Sequence, residues 1–229
     1  MSLQNTKLLL EFTEIALRYE QRTAAIAQSM LLIATAEKVA KTHVDMKNAV
    51  EKFEDYLKPH SLDYRMFFCG LFLFSLVADV EIYFVDVMKA IIRRHPKKVG
   101  AIQFKLSDIL DSSPEGLINA ASENHLNRLM YKKPSEYLGE FADVLSIDKR
   151  EIEQHWPAFV EAKARRDLGT HNNWLINDTY RKKVTEVGLE APFGSGLSLC
   201  PDDAYLMKAI NNCDLLVRSI RDSLKTKHA

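Results

Sequence analysis

The chain has 229 residues, enough for one large core or for a compact domain carrying a helical extension. Lys plus Arg (31) balances Asp plus Glu (31), so no net cationic field draws it to nucleic acid or anionic membrane, and any polyanion must be met locally. Cys69, Cys200 and Cys213 are scattered without paired spacing, which argues against a disulfide framework and a tetrahedral zinc site and favours reduced thiols in a cytosol.

The first residues lack a basic stretch followed by an apolar run and a small-residue cleavage site, so the expected location is cytoplasmic. Met66 to Ala78 is the strongest membrane candidate. It is shorter than the ~18 apolar residues a span requires, and Asp79 and Glu81 close it, so a buried core helix is expected and no membrane partner.

From Asn5 to Lys58 there is neither Gly nor Pro, and Leu8, Phe12, Ile15, Tyr19, Ile26, Ile33 and Ala40 follow helical spacing. An unbroken helix of ~50 residues would reach about 75 Å at the α-helical rise, more than this chain can cover. A break is therefore expected near Thr42 to Asp45. Arg22 and Ser29 fall on the partly heptad-like seam, favouring an ordinary bundle face over a coiled coil. Pro59 and His60 punctuate the chain, and Leu62 to Ile92 reads as a very apolar, Phe-rich central helix. Arg93, Arg94, Lys97 and Lys98 then suit a helix C-terminus, whose partial negative charge favours cations.

Ser112 and Ser113 before Pro114 and Glu115 form a helix start, because a hydroxyl caps free amides and proline suits the first turn. After Pro134, Ser135 is the expected cap of a short helix with Tyr137, Phe141 and Val144 on one side, and Asp148 with Glu151 resembles a capping box. Gly188 to Pro201, with Gly194 and Gly196, reads as a loop or small hairpin; it lacks the Lys-Ser or Lys-Thr of a phosphate loop. From Asp202 a last helix carries Leu206, Ile210, Cys213, Val217, Ile220 and Leu224 on one face. The expected fold is all-α, with residues 1–58 as a long helix or helix pair packing on a bundle over 62–225.

Chemistry concentrates between Arg165 and Tyr180. Pro157 fits a first turn and Gly169 fits the position after a helix end, so Pro157 to Leu168 is the expected helix. Residues five apart on a straight helix lie about 140° apart around it, whereas a break at Gly169 would free His171 to turn toward Arg166. An imidazole titrates near neutrality and can move a proton from a ribose 2′-hydroxyl, while a guanidinium holds the phosphorane with its fork of donors. Asp167, at a helix C-terminus that disfavours negative charge, is placed to orient His171 or Arg166. Spacing alone is common, since Arg150 with His155 and Arg221 with His228 match it too.

The ordered run Arg165-Arg166-Asp167-Leu168-Gly169-Thr170-His171-Asn172-Asn173, then Tyr180 and a final amphipathic helix, resembles the Arg-polar-x3-His signature of HEPN domains. Leu76 to Phe84 is similar to the early bundle helix of that family, and Trp156 stands upstream of the motif. The likeness spans roughly Leu62 to Lys225, and where many relatives have a Gly shortly after the His and Asn, this chain has Trp174.

The resemblance implies an up-and-down helical bundle of HEPN type and, for many members, a metal-independent endoribonuclease acting as a toxin or in phage defence, with two protomers sharing one site. On that pattern Arg166 and His171 are the catalytic residues, Arg165, Asp167, Asn172 and Tyr180 the RNA-binding or supporting ones, and neither metal nor cofactor is implied. The implied partners are RNA, a second copy of the chain, and an antitoxin or other partner protein. Two other readings stay open: a non-catalytic RNA- or nucleotide-binding or protein-interaction module, and a helical oligomer whose N-terminal helix makes the interface.

Overall fold

The computed structural model describes residues 3–40, 42–58, 63–100, 103–192, 194 and 196–228. The α-helices among them are α1 (Leu3–Ala40), α2 (Val44–Leu57), α3 (Tyr64–Arg94), α4 (Leu106–Asp111), α5 (Pro114–Met130), α6 (Pro134–Leu145), α7 (Trp156–His171), α8 (Asp178–Glu186) and α9 (Asp203–His228). No strand longer than an isolated bridge occurs in the described residues. The chain is an all-α helical bundle.

The α1 break falls where chain length demands it, with the helix ending at Ala40 and α2 starting at Val44. The inner face of α1 is the expected one through Ile26: Leu8, Phe12, Ile15, Tyr19 and Ile26 are buried in the same core as α3 and α9, whereas Ile33 is only half-buried. The punctuation expected at Pro59 and His60, and Leu62 as a helix start, lie outside the described residues. The described helix begins at Tyr64, where Asp63 accepts a hydrogen bond from the Met66 amide at 2.7 Å, capping a free N–H.

Helix α3 is the centre of the bundle. It packs on α1, α5, α6, α7 and α9 and buries Leu73, Leu76, Val77, Val80, Tyr83, Phe84, Val87 and Met88. By length and composition it is the one described helix able to cross a bilayer, but here neighbouring helices cover its apolar side. Asp79 and Glu81 lie inside it, as a helix read on to Ile92 requires. A charge inside an apolar helix must be paired, and Asp79 meets Arg22 of α1 at 2.6 Å while Glu81 meets two cations of α7.

Two local expectations need correction. Ser135 does not cap α6: Lys133 holds that position, Pro134 with its fixed φ takes the first turn, and the Ser135 hydroxyl instead donates to Glu186 of α8 at 2.8 Å. Asp148 accepts from the Arg150 amide at 3.0 Å and starts only a short 3-10 turn over Lys149–Glu151, so no helix is launched by a capping box there. Ser113 does cap α5, accepting from the Gly116 amide at 3.1 Å. The described residues between Gly188 and Pro201 form the loop expected, tied by one antiparallel bridge between Leu175 and Ser198.

Candidate functional site

Helix α7 carries the motif, and it is longer than its glycine suggested. It runs without interruption from Trp156 to His171, so Gly169 lies inside it and makes no break. The reason is tertiary. The indole of Trp174 folds back onto α7, and a β-carbon on Gly169 would stand 2.5 Å from it; one on Gly70 of α3 would stand 2.8 Å away. Phe74 stacks on the same indole at 5.5 Å and 7°. Gly169 and Gly70 are therefore the two gaps that seat Trp174 between α3 and α7.

Chain reversal takes place one turn later. Asn173 and Trp174 adopt positive φ (48° and 65°), and the amides of Asn172 and Trp174 both donate to the Leu168 carbonyl, at 2.8 and 3.1 Å. Asn172 donates its side-chain Nδ2 to the Leu175 carbonyl at 2.6 Å. It secures the turn.

The continuous helix separates Arg166 from His171. Five residues place them about 140° apart around the axis. His171 is exposed at the end of α7, whereas Arg166 points into a cleft of about 520 Å³ between α3, the α5–α6 corner, α7 and α8. The expectation that a bend at Gly169 turns the imidazole toward the guanidinium of the same chain is thus overturned.

In the cleft, Arg166 Nη2 donates to Glu81 Oε2 at 3.3 Å, and its Nε lies 3.1 Å from Asp167 Oδ1. That Nε is buried and lacks the alignment of a hydrogen bond. Lys163 holds the other oxygen of Glu81, Lys183 of α8 holds Asp167 at 2.9 Å, and Lys132 at the α5–α6 corner holds Glu140. Four cations meet three carboxylates, leaving one positive charge in excess. Tyr131, 91 % exposed, stands at the mouth.

Arg165 and Tyr180 belong to a second cluster, 100° around α7. Glu161, one turn before Arg165, accepts from Arg165 Nε at 2.8 Å, from the Tyr180 hydroxyl at 2.8 Å and from the Tyr205 hydroxyl at 2.6 Å. The Arg165 guanidinium also lies 3.6 Å over the Tyr205 ring. Burial first, and then the Glu161 carboxylate, hold both tyrosine hydroxyls protonated well above their ordinary range. This cluster ties α7, α8 and α9 together.

Of the residues singled out from sequence, then, Arg166 and Asp167 share one cleft, Arg165 and Tyr180 share one network, Asn172 serves a turn, and His171 stands apart. Glu81 and Glu161 were missed as site residues. An acid inside an apolar helix signals a paired partner, and the four-residue step from Glu161 to Arg165 is the spacing of a helical ion pair.

Among the described residues no three His, Cys, Asp or Glu side chains converge as metal ligands. Burial pushes the Cys69, Cys200 and Cys213 thiols up to about 12, so they stay neutral. No family model, curated protein or solved structure matches the chain.

Proposed function

We propose that this chain is a HEPN-type helical module that binds the phosphate of an RNA or nucleotide in the Arg166 cleft and does not cleave it. The observation that carries the reading is the excess of cations in an open cleft, where Arg166, Lys163, Lys183 and Lys132 meet only the three carboxylates of Glu81, Asp167 and Glu140. Phosphate oxygens match the guanidinium fork, and the flanking lysines add charge without geometric demand. Tyr131 gives a nucleobase a face to stack on at the mouth.

The position of His171 within one chain supports binding without turnover. Transfer of a 2′-hydroxyl proton needs its acceptor within hydrogen-bond reach of the reacting group, and an imidazole on another side of α7 does not meet the phosphate that Arg166 holds.

Incubation with single-stranded RNA in excess chelator tests the claim. The expected result is retained, intact RNA. Chelator-resistant cleavage that disappears in His171→Ala would overturn it and favour a composite ribonuclease site built from two protomers.

A further inference from the structure

Away from the cleft, the outer side of α1 carries apolar surface that no described residue covers. From Thr23 to Ala36 the helix has no charged residue, and Leu31 and Leu32 are each 68 % exposed. At the edge where α1 meets α9, a groove of about 280 Å³ is lined by Ala24, Ala27, Ile210 and Val217 together with the charged Glu20, Asp214 and Arg218. At 100° per residue, Leu31 lies about 20° from Ala24 and about 40° from Ala27 around the axis. One helix face thus presents both a projecting knob and an unfilled hole.

We propose that this face pairs antiparallel with the same face of a second copy, about a twofold axis at the level of Ser29, each Leu31 entering the Ala24–Ala27 groove of the other protomer. Charge placement selects a second copy as the occupant. Glu20 and Lys38 are eighteen residues apart on α1, five full turns at 3.6 residues per turn, so they lie on one line along the helix. The pair Ala27 and Leu31 and the pair Glu20 and Lys38 are both centred on Ser29. An antiparallel twofold that seats Leu31 against Ala27 therefore also sets Lys38 beside Glu20 at both ends, with the uncharged stretch between them. Glu20 uses Oε1 to accept from Arg221 at 2.9 Å, so its Oε2 faces Lys38 of the second copy. A self-complementary patch of this kind gives a closed dimer.

The pairing is independent of phosphate binding. Helix α1 packs on α3 and α9, whereas Arg166 lies on α7 at the cleft with α8, so a dimer through the outer face of α1 keeps the two motif helices apart.

Sedimentation equilibrium of the full chain at micromolar concentration tests the proposal, with twice 26.2 kDa expected. Leu31→Glu is expected to give the monomer mass with unchanged helical circular dichroism. Glu20→Lys and Lys38→Glu are each expected to weaken association by about tenfold at low salt, and the double exchange to restore it. A monomer at every concentration, or a dimer indifferent to Leu31→Glu, would overturn the assignment. So would a monomer that binds phosphatidylcholine vesicles through Leu31, because the face would then meet lipid. None of these results bears on RNA retention by the Arg166 cleft, so the two readings fail separately.

Discussion

Gly169 and Trp174 exclude one another's bulk: the indole occupies the space a β-carbon on Gly169 would need, at 2.5 Å. Inside a helix an exposed Gly→Ala change ordinarily gains ~1 kcal/mol. Here the sign reverses. Gly169→Ala must push Trp174 from its seat against Phe74, and overpacking of this kind costs about 1–3 kcal/mol. Gly139, in α6 with open space where its β-carbon would stand, is the control. Urea unfolding is expected to show Gly139→Ala stabilised and Gly169→Ala destabilised; equal effects would mean Trp174 is not seated as described.

Glu161 is the acceptor that holds α7, α8 and α9 in register. Removing it by Glu161→Ala leaves the Arg165 guanidinium, largely covered by Tyr205, without its carboxylate, and a cost of about 3–5 kcal/mol is expected. Tyr205→Phe deletes one hydrogen bond to a charged acceptor and should cost about 1.5–3 kcal/mol. A double-mutant cycle between Glu161 and Tyr205 should show strong non-additivity. Additive losses would show that the two side chains act separately.

Two histidines set a pH dependence. Burial holds His125 below its ordinary range, and burial together with His95, Lys227, Lys98 and Arg94 does the same for His228. A folded-state value below the unfolded one means that the unfolded chain binds more protons. The stabilising contribution is therefore complete above about pH 6.5, the ordinary histidine value, and is lost as pH falls through that value toward the folded one. The urea midpoint should decline from pH 7.5 to 5.5, and His125→Gln should flatten the decline. A slope unchanged by His125→Gln would remove His125 as its source.

Much of the bundle was legible because it rests on periodicity. The buried faces of α1 and α9, the break before Val44 and the apolar centre at α3 follow from spacing and chain length alone. What misled was glycine, which marks either a helix end or a close approach. Gly169 is the second kind, and its reason, Trp174 lodged against Gly70 and Phe74, comes from another helix and from the chain beyond the turn. The Ser135 cap failed similarly, because Pro134 claimed the first turn and Glu186 of α8 claimed the hydroxyl. At the site, Arg166 and Asp167 are adjacent in the chain, and their further partners Glu81 and Lys183 sit on α3 and α8, beyond any local pattern.

The cleft also has a salt signature. Few phosphates fit beside one guanidinium and three lysines, so RNA affinity should fall gently with salt, with a log–log slope near −0.7 for each phosphate contacted on a single strand. Lys183→Gln should reduce that slope by about one contact while leaving the fold intact. A steep slope untouched by Lys183→Gln would place the RNA elsewhere.

The most direct measurement is the affinity of a short fluorescent single-stranded RNA, in chelator and at low salt, for the wild-type chain, Arg166→Gln and His171→Ala. The cleft predicts that Arg166→Gln weakens binding by about tenfold or more, the loss expected of a charged phosphate contact, and that His171→Ala binds as the wild type does with the RNA intact throughout. Equal binding by Arg166→Gln and the wild type, or cleavage that depends on His171, would contradict it.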